Sequence, residues 1–446
     1  MSFEPLILRS RLYQGLISRR LISWILTNSQ IFRIHLKEFT YRKPLHSIKH
    51  AHKWYLFVVR LLRPSSLDER QLLSEFAKKC SNYFSAPLFG SQRIKWVVFC
   101  TFLFALVANL YCWTNSMFSH DSLMVIQNDW ALETSLGRFL QEYYVSLRGN
   151  VVAPFLIGML GTAYLAASIN LITSLFDVKA KGSIIAICGL IVVNASTTLL
   201  NATYICWFDI YMLSFLFSVL SIYVTARYKW GFLSGMLFLI LSEGLYQSYI
   251  NAAVFLALLY GVYCLLKDQK TSEVICNEVK LALTIIFGTL LYYFVTSLVQ
   301  NATGNADLGN YNSLSSVSIF STGQDLLGLI LQTWVRPFEY FMYPETYAPY
   351  VSAIINLVLF FLGVFLFFSS YIKKHLSIKN LILIVILALL MPFGINLIFF
   401  LSSGMTHSLM IHSYYLWYVG VFALSGLILN HNEQCEEQSK NPPLRN

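Results

Sequence analysis

Charge is what this chain has least of. Asp, Glu, Lys and Arg make up 12% of its 446 residues, against roughly a quarter in a soluble domain. That shortage excludes an ordinary water-soluble enzyme. The apolar residues, 56% of the chain, lie in unbroken blocks rather than in stripes, which is the pattern of helices that cross a bilayer. Motifs are missing as well. There is no G-x-x-x-x-G-K-[ST], no G-x-G-x-x-G, no zinc-ligand string and no G-x-S-x-G, so the phosphate loops, dinucleotide folds, zinc sites and nucleophile elbows that carry those signatures are not indicated. No soluble nucleotide-binding domain fits between the apolar blocks. An enzyme on this plan would take its donor from the lipid and not from a nucleotide sugar. The eight cysteines form no CxxC pair, and Cys112 and Cys206, both near one face, read as packing residues rather than a disulfide. Residues 1–30 lack the uninterrupted apolar core of a cleavable signal, so the first span is expected to serve as the targeting signal.

What is present sets an all-α polytopic membrane fold with about ten transmembrane helices, near 96–114, 151–173, 183–200, 207–225, 230–246, 248–266, 281–300, 350–372, 380–401 and 413–430. Each is close to the roughly 20 residues that a bilayer requires. Gly231, Gly235 and Glu243 make the fifth the weakest. Loops 174–182, 226–229, 267–280 and 373–379 hold Lys179, Lys181, Arg227, Lys229, Lys267, Lys270, Lys280, Lys373, Lys374 and Lys379, while the alternate loops hold Arg138, Arg148 and Arg336. The basic set reads as cytoplasmic, and both termini fall on that side. The net charge of +10 is thus a topology signal and points to no nucleic-acid partner.

Three segments divide the chain. Residues 1–95 carry 17 Lys and Arg against five acids, with short apolar groups between them, as expected of basic amphipathic helices on anionic lipid; the plain alternative is a cytoplasmic extension without chemistry. Residues 96–430 form the membrane domain, with outer loops at about 115–150, 301–349 and 402–412. Residues 431–446 are a polar cytoplasmic tail, expected to be disordered.

The outer loops hold the candidates. In the first, Asp121 and Asp129 lie just past the first span. Either could act as a general base, or Asp121 could cap a helix, which Asp does well. On one continuous helix the two would stand about 12 Å apart and could not touch. Leu136, Leu140, Tyr143 and Leu147 recur at helical steps and predict a face against the membrane. Glu243, Tyr246 and Gln247 cluster where two spans meet; a carboxylate at that depth is functional or snorkels to water. The Asn201 and Asn301 glycosylation triplets carry no weight at this length. In the loop 301–349, Thr322 and Asp325 predict the start of an interfacial helix whose apolar face is Leu326, Leu327, Ile330, Leu331 and Trp334, with Pro337 as its stop. Arg336 is the sole Lys or Arg of that loop, flanked by Trp334 and Tyr340. The group could hold a phosphate and stack a sugar, or form an aromatic belt with one snorkelling Arg. Met391-Pro392 predicts a kink. His407 and His412 are spaced wrongly for one helical face, so no metal site is expected.

The order of these pieces resembles the serotype-converting glucosyltransferases of phage and O-antigen modification systems, the glucosyl transferase two family. The matching residues are Asp121, Asp129 and Trp130 with Gly137-Arg138-Phe139-Leu140, then Tyr246-Gln247-Ser248-Tyr249, then Met391-Pro392-Phe393 before a His-bearing outer loop. The resemblance covers roughly 96–430. One departure is His120-Asp121 where paired acids would be expected, which leaves the choice between Asp121 and Asp129 open. The resemblance implies a type-C glycosyltransferase fold, glucose on undecaprenyl phosphate as the donor, and lipopolysaccharide O-antigen as the acceptor on the periplasmic side of the bacterial inner membrane. It implies functional partnership with a donor flippase and a bactoprenol glucosyltransferase, and no cofactor. Asp121 or Asp129 would then be the base. Arg336, or Arg138, would hold the donor phosphate, and Trp334, Tyr340, Glu243, Tyr246, Gln247 and His407 would line the sugar. A flippase of a lipid-linked sugar or an O-antigen polymerase are the other readings, although no internal repeat speaks for a transporter.

Overall fold

The computed structural model describes residues 86–115, 119–128, 130–305, 326–342, 354–365 and 377–424, with Glu75, Lys78, Lys79, Tyr83 and Phe84 besides. The chain divides into two units, Met1–Asn82 and Tyr83–Asn446, and the membrane helices belong to the second. Among the described residues there is no strand, only the isolated bridge between Pro87 and Ala180. The predicted all-α membrane fold is the observed one.

Among the described residues, six helical segments are long and apolar enough to cross a membrane. They are α1 (Gly90–Thr114), α5 (Pro154–Leu175), Ile205–Arg227, Gln247–Leu266, α11 (Thr271–Thr303) and α14 (Ile378–Ile395). Within two of them a short 3-10 turn, Ile205–Trp207 or Gln247–Tyr249, leads into α8 (Phe208–Arg227) or α10 (Ile250–Leu266). The pair α6 (Lys181–Val192) and α7 (Ala195–Ala202), bent by 49°, is long and apolar enough only when taken together, as a broken span or a re-entrant loop. Asn194 makes the bend. Its side-chain oxygen accepts the Thr197 N–H at 3.0 Å and restarts the helix, the usual work of an N-cap. Shorter apolar helices, α9 (Gly231–Leu245), α13 (Ile354–Phe365) and α16 (Ser408–Leu424), stand where the remaining spans were expected.

Small residues bring the central helices close. A Cβ on Gly158 of α5 would sit 2.3 Å from the Trp113 ring, and one on Gly161 would sit 2.5 Å from Phe208. Trp113 donates in turn to Asn201 at 2.7 Å, so the Asn of that glycosylation triplet is a core residue. At one end of the bundle the cations satisfy helix termini. Lys280 donates to the carbonyls of Thr225 at 2.6 Å and Tyr228 at 2.7 Å, and Arg227 donates to that of Ser174 at 2.9 Å, carbonyls that a helix end leaves without partners. Lys280 lies inside α11, which starts ten residues before the expected span, its first residue Thr271 bonding Asn380 of α14. At the same end Lys181 stands 3.3 Å from the Tyr83 ring centroid and 3.8 Å from that of Trp96, next to the Pro87–Ala180 bridge.

The opposite end carries the polar loops. Loop 115–150 is not one long helix but three short ones, α2 (His120–Gln127), α3 (Ala131–Ser135) and α4 (Leu140–Leu147). α2 stops at Asn128, whose φ of 57° is left-handed. The predicted membrane face is split by these breaks: Leu136 is buried, whereas Tyr143 and Leu147 are 62% and 88% exposed.

The helix expected in loop 301–349 is α12 (Leu326–Met342), and it does not stop at Pro337 but runs through it. Proline removes the N–H that would bond the carbonyl four residues back, here that of Thr333. Asn396 takes over that bond, donating to the Thr333 oxygen at 3.0 Å. α12 keeps an exposed apolar edge at Leu327 and Leu331, but it also lies alongside α14, with the Trp334 indole donating to the Leu389 carbonyl at 2.8 Å. Thr322 and Asp325 fall outside the described residues. α14 holds Pro392 within it and runs on to Ile395, and the chain breaks at Asn396, before α15 (Leu397–Leu401). The tail 431–446 also lies outside the described residues.

Candidate functional site

Asp121 is not the cap of its helix. Ser119 is, with its backbone N–H donating to the Ser122 hydroxyl at 3.3 Å. Asp121 sits in the first turn of α2, where the partial positive charge of a helix start favours a carboxylate. Its Oδ2 accepts the Trp207 indole N–H at 2.9 Å. Trp207 is buried, and so is Trp130, whose ring meets it edge-on at 6.2 Å. The Trp130 N–H is engaged by Asn128 at 2.8 Å.

Trp207 comes from the 3-10 turn ahead of α8, and a buried ion pair holds that turn. Arg148, at the end of α4, donates to Asp209 at 2.6 and 2.7 Å and to the Cys206 carbonyl at 3.3 Å. The Tyr144 hydroxyl donates to the same carboxylate at 3.0 Å. Burial first, and then Asp209 beside it, push the Tyr144 phenol far above its ordinary pKa, so it stays a donor.

His407 lies within electrostatic reach of Asp121. Its ring stands edge-on to Tyr204 at 6.2 Å. Surrounding protein lowers its pKa below the ordinary histidine value, against the opposing pull of Asp121. Its Nδ1 accepts the Leu409 N–H at 3.3 Å and caps the start of α16. The neutral ring therefore carries its proton on Nε2.

A second cluster adjoins through Tyr211, which feels the charges of Asp121, Glu133 and Arg138. Tyr211 stacks on Tyr246 with centroids 3.8 Å apart. Arg138 lies over Tyr246 at 5.0 Å and is paired with Glu133 at 2.9 Å. Burial lowers the Arg138 pKa most strongly of any one cause, but Glu133, Tyr211 and Tyr246 together outweigh it and the net shift is upward. Arg138 is thus a cation whose charge is already met.

The other sequence candidates fall elsewhere. Gln247 donates to the Leu136 carbonyl and, at 3.0 Å, to the Tyr292 hydroxyl, which itself donates to the Gly137 carbonyl at 3.0 Å. Gln247 therefore staples the first loop to α11. Glu243 is buried and accepts the Thr289 hydroxyl at 2.6 Å. Neither touches Asp121 in these contacts. Arg336 is exposed, with its guanidinium 4.9 Å from the Phe399 centroid. Tyr340 bonds the Tyr415 hydroxyl, which accepts the Ala195 N–H at 3.3 Å. Arg336 and Tyr340 stand on one side of α12, joined to His407 through α16. Asp129 lies outside the described residues.

On the other flank of α12, Trp334, Pro337, Phe338 and Phe341 face a cavity of about 360 Å³, closed by Phe360 of α13 and Trp417 of α16 among other apolar residues. Among the described residues, no three His, Cys, Asp or Glu gather as metal ligands do.

Sequence reading missed Trp207, Tyr204, Tyr211 and the Arg148–Asp209 pair. The one signal for them was the dense polar-aromatic run at 200–209 beside an acid at the membrane edge.

The family model described as Glucosyl transferase GtrII matches residues 110–424, which takes in every residue of this site. No curated protein matches the chain, and no solved structure does.

Proposed function

The chain belongs to the GtrII glucosyl transferase family, and from that premise we propose that it moves glucose from undecaprenyl phosphate to the O-antigen of lipopolysaccharide, converting serotype, at the periplasmic face of the bacterial inner membrane. The observation that carries this reading is the Asp121 carboxylate, held by the Trp207 N–H at 2.9 Å among aromatic side chains at the polar-loop end of a membrane bundle.

In this proposal Asp121 takes the proton of the acceptor hydroxyl as its oxygen bonds to the anomeric carbon. The bond from that carbon to the phosphate oxygen breaks, and the lipid phosphate leaves as an anion. The sugar passes through a cation-like state, as in glycoside cleavage. Arg336 meets the leaving phosphate, because Arg138 and Arg148 are already paired with carboxylates. Tyr204 and His407 offer a ring face and a donor to the sugars, and Trp130 and Tyr246, both buried, back them. Trp334 and Tyr340 serve the lipid end, and the apolar cavity beside α12 suits a lipid chain. Asp129 remains the second candidate base. Gln247 supports the first loop from behind, and Glu243 ties α9 to α11. The basic end of the bundle and both termini face the cytoplasm. A flippase and a bactoprenol glucosyltransferase would supply the donor.

The test uses the full chain purified in detergent, given polyprenyl-phosphoglucose with labelled sugar and a panel of O-antigens. Single glucosyl branches on one acceptor are expected. No transfer without a sealed vesicle would favour a flippase, and lengthened chains would favour a polymerase.

A further inference from the structure

We propose that Trp207 is a positioning residue that acts through Asp121, and that the buried Arg148–Asp209 pair beneath it fixes the turn from which it reaches. The inference rests on Asp121 being the base and extends that reading to residues that touch no substrate.

An indole has one polar hydrogen and no acceptor. That of Trp207 is spent on Asp121 Oδ2 at 2.9 Å. The ring itself is buried and held edge-on by Trp130, so the direction of the N–H is set by the backbone that carries it. The backbone is pinned from below. The Cys206 carbonyl, which belongs to the peptide joining Cys206 to Trp207, accepts from both terminal nitrogens of Arg148 at 3.3 Å. The same guanidinium grips Asp209, two residues on, at 2.6 and 2.7 Å. Both side chains are almost wholly out of solvent, at 2% and 0% exposure. Asp209 is further held by Tyr144 at 3.0 Å and by the Ile210 N–H at 2.9 Å. Two charges withdrawn from water are a costly way to hold a turn that apolar packing could hold as well. What the fork adds is a fixed orientation for one peptide plane. From that plane the indole N–H reaches the Asp121 carboxylate. Arg148 and Tyr144 lie on α4 and Asp121 on α2, so the two ends of the first outer loop meet at one turn.

The experiment is a double-mutant cycle on the full chain in detergent, with polyprenyl-phosphoglucose as donor and O-antigen as acceptor. Trp207→Phe keeps the ring contact with Trp130 and removes the N–H. It is expected to lower kcat by about ten- to a hundred-fold, the scale of an ångström-sized misplacement, with KM for both substrates unchanged. In an Asp121→Asn background the same change should cost nothing further, because residues that act as a unit are not additive. Arg148→Lys, which keeps the charge and loses the fork, should show the same kcat pattern. An equal fold-loss in both backgrounds would make Trp207 a mere support of the fold. A raised KM with kcat unchanged would make it a substrate platform. Either result overturns the inference while leaving Asp121 as the base. A fully active Asp121→Asn alone would remove the base, and the positioning role with it.

Discussion

Asp121→Asn leaves an oxygen to accept the Trp207 N–H and leaves the Ser119 cap untouched, but it abolishes basicity. Transfer is therefore expected to fall by at least about 10²-fold at normal protein abundance, measured as glucose incorporated per molecule. Had Asp121 been the cap, Asn would have served as well, and the substitution would be near-silent. A near-silent Asp121→Asn beside an inactive Asp129→Asn would move the base to Asp129. Arg336→Ala should chiefly raise KM for the lipid donor, and Arg336→Lys should recover part of the loss, since Lys keeps charge without the fork. Donor titrations check this, and an unchanged KM in Arg336→Ala would place the phosphate elsewhere. Of these residues, Asp121, Arg336 and His407 could be read from the sequence, because a charge or imidazole beside an apolar run stands out. Trp207 could not. Its contact with Asp121 joins a loop and a turn on either side of two spans, and an indole N–H leaves no periodic trace.

The helix α12 offers an experiment on backbone bonding. Asn396→Ala would leave the Thr333 carbonyl without its donor, since Pro337 has none to give. An orphaned buried acceptor costs about 1–3 kcal/mol, so the melting temperature in detergent should drop. Pro337→Ala in that background restores an N–H at the right position and should recover part of the drop. The rest stays lost, because Asn396 also accepts the Tyr414 hydroxyl at 2.7 Å. No recovery would mean that Asn396 matters through Tyr414 alone. The same pair explains an error of sequence reading. Proline stops helices by local rules, and here a side chain far along the chain supplies what those rules assume is missing. The three-part break of loop 115–150 was hidden for a similar reason, since Asn128 and Gly137 take left-handed φ values of 57° and 84° in a stretch whose leucines suggest one continuous helix.

Across the whole molecule, the positions of the apolar helices were legible because hydropathy is a property of each run alone. Their bends and lengths depend on neighbours and were not. Orientation follows from the basic loops, so reporter fusions after Lys181 and Lys270 are expected to read cytoplasmic and those after Asn150 periplasmic. The reverse at Asn150 would put Asp121 on the wrong side for the proposed donor. Removal of residues 2–82 should lower membrane abundance more than turnover per molecule; lost turnover at normal abundance would give that segment a part in catalysis. The caged Lys181 has a consequence for how the chain is made. Tyr83 and Trp96, which embrace its ammonium group at 3.3 and 3.8 Å, leave the ribosome long before the lysine does. The start of α1 therefore waits, unlatched, while the loop bearing Asp121 and the whole of α5 are synthesised. Arrival of Lys181 then closes the ring of Pro87, Ala180 and the two aromatics. Loop 115–150 is thereby enclosed between two membrane segments whose far ends are fastened together, before α8 appears to offer it Trp207.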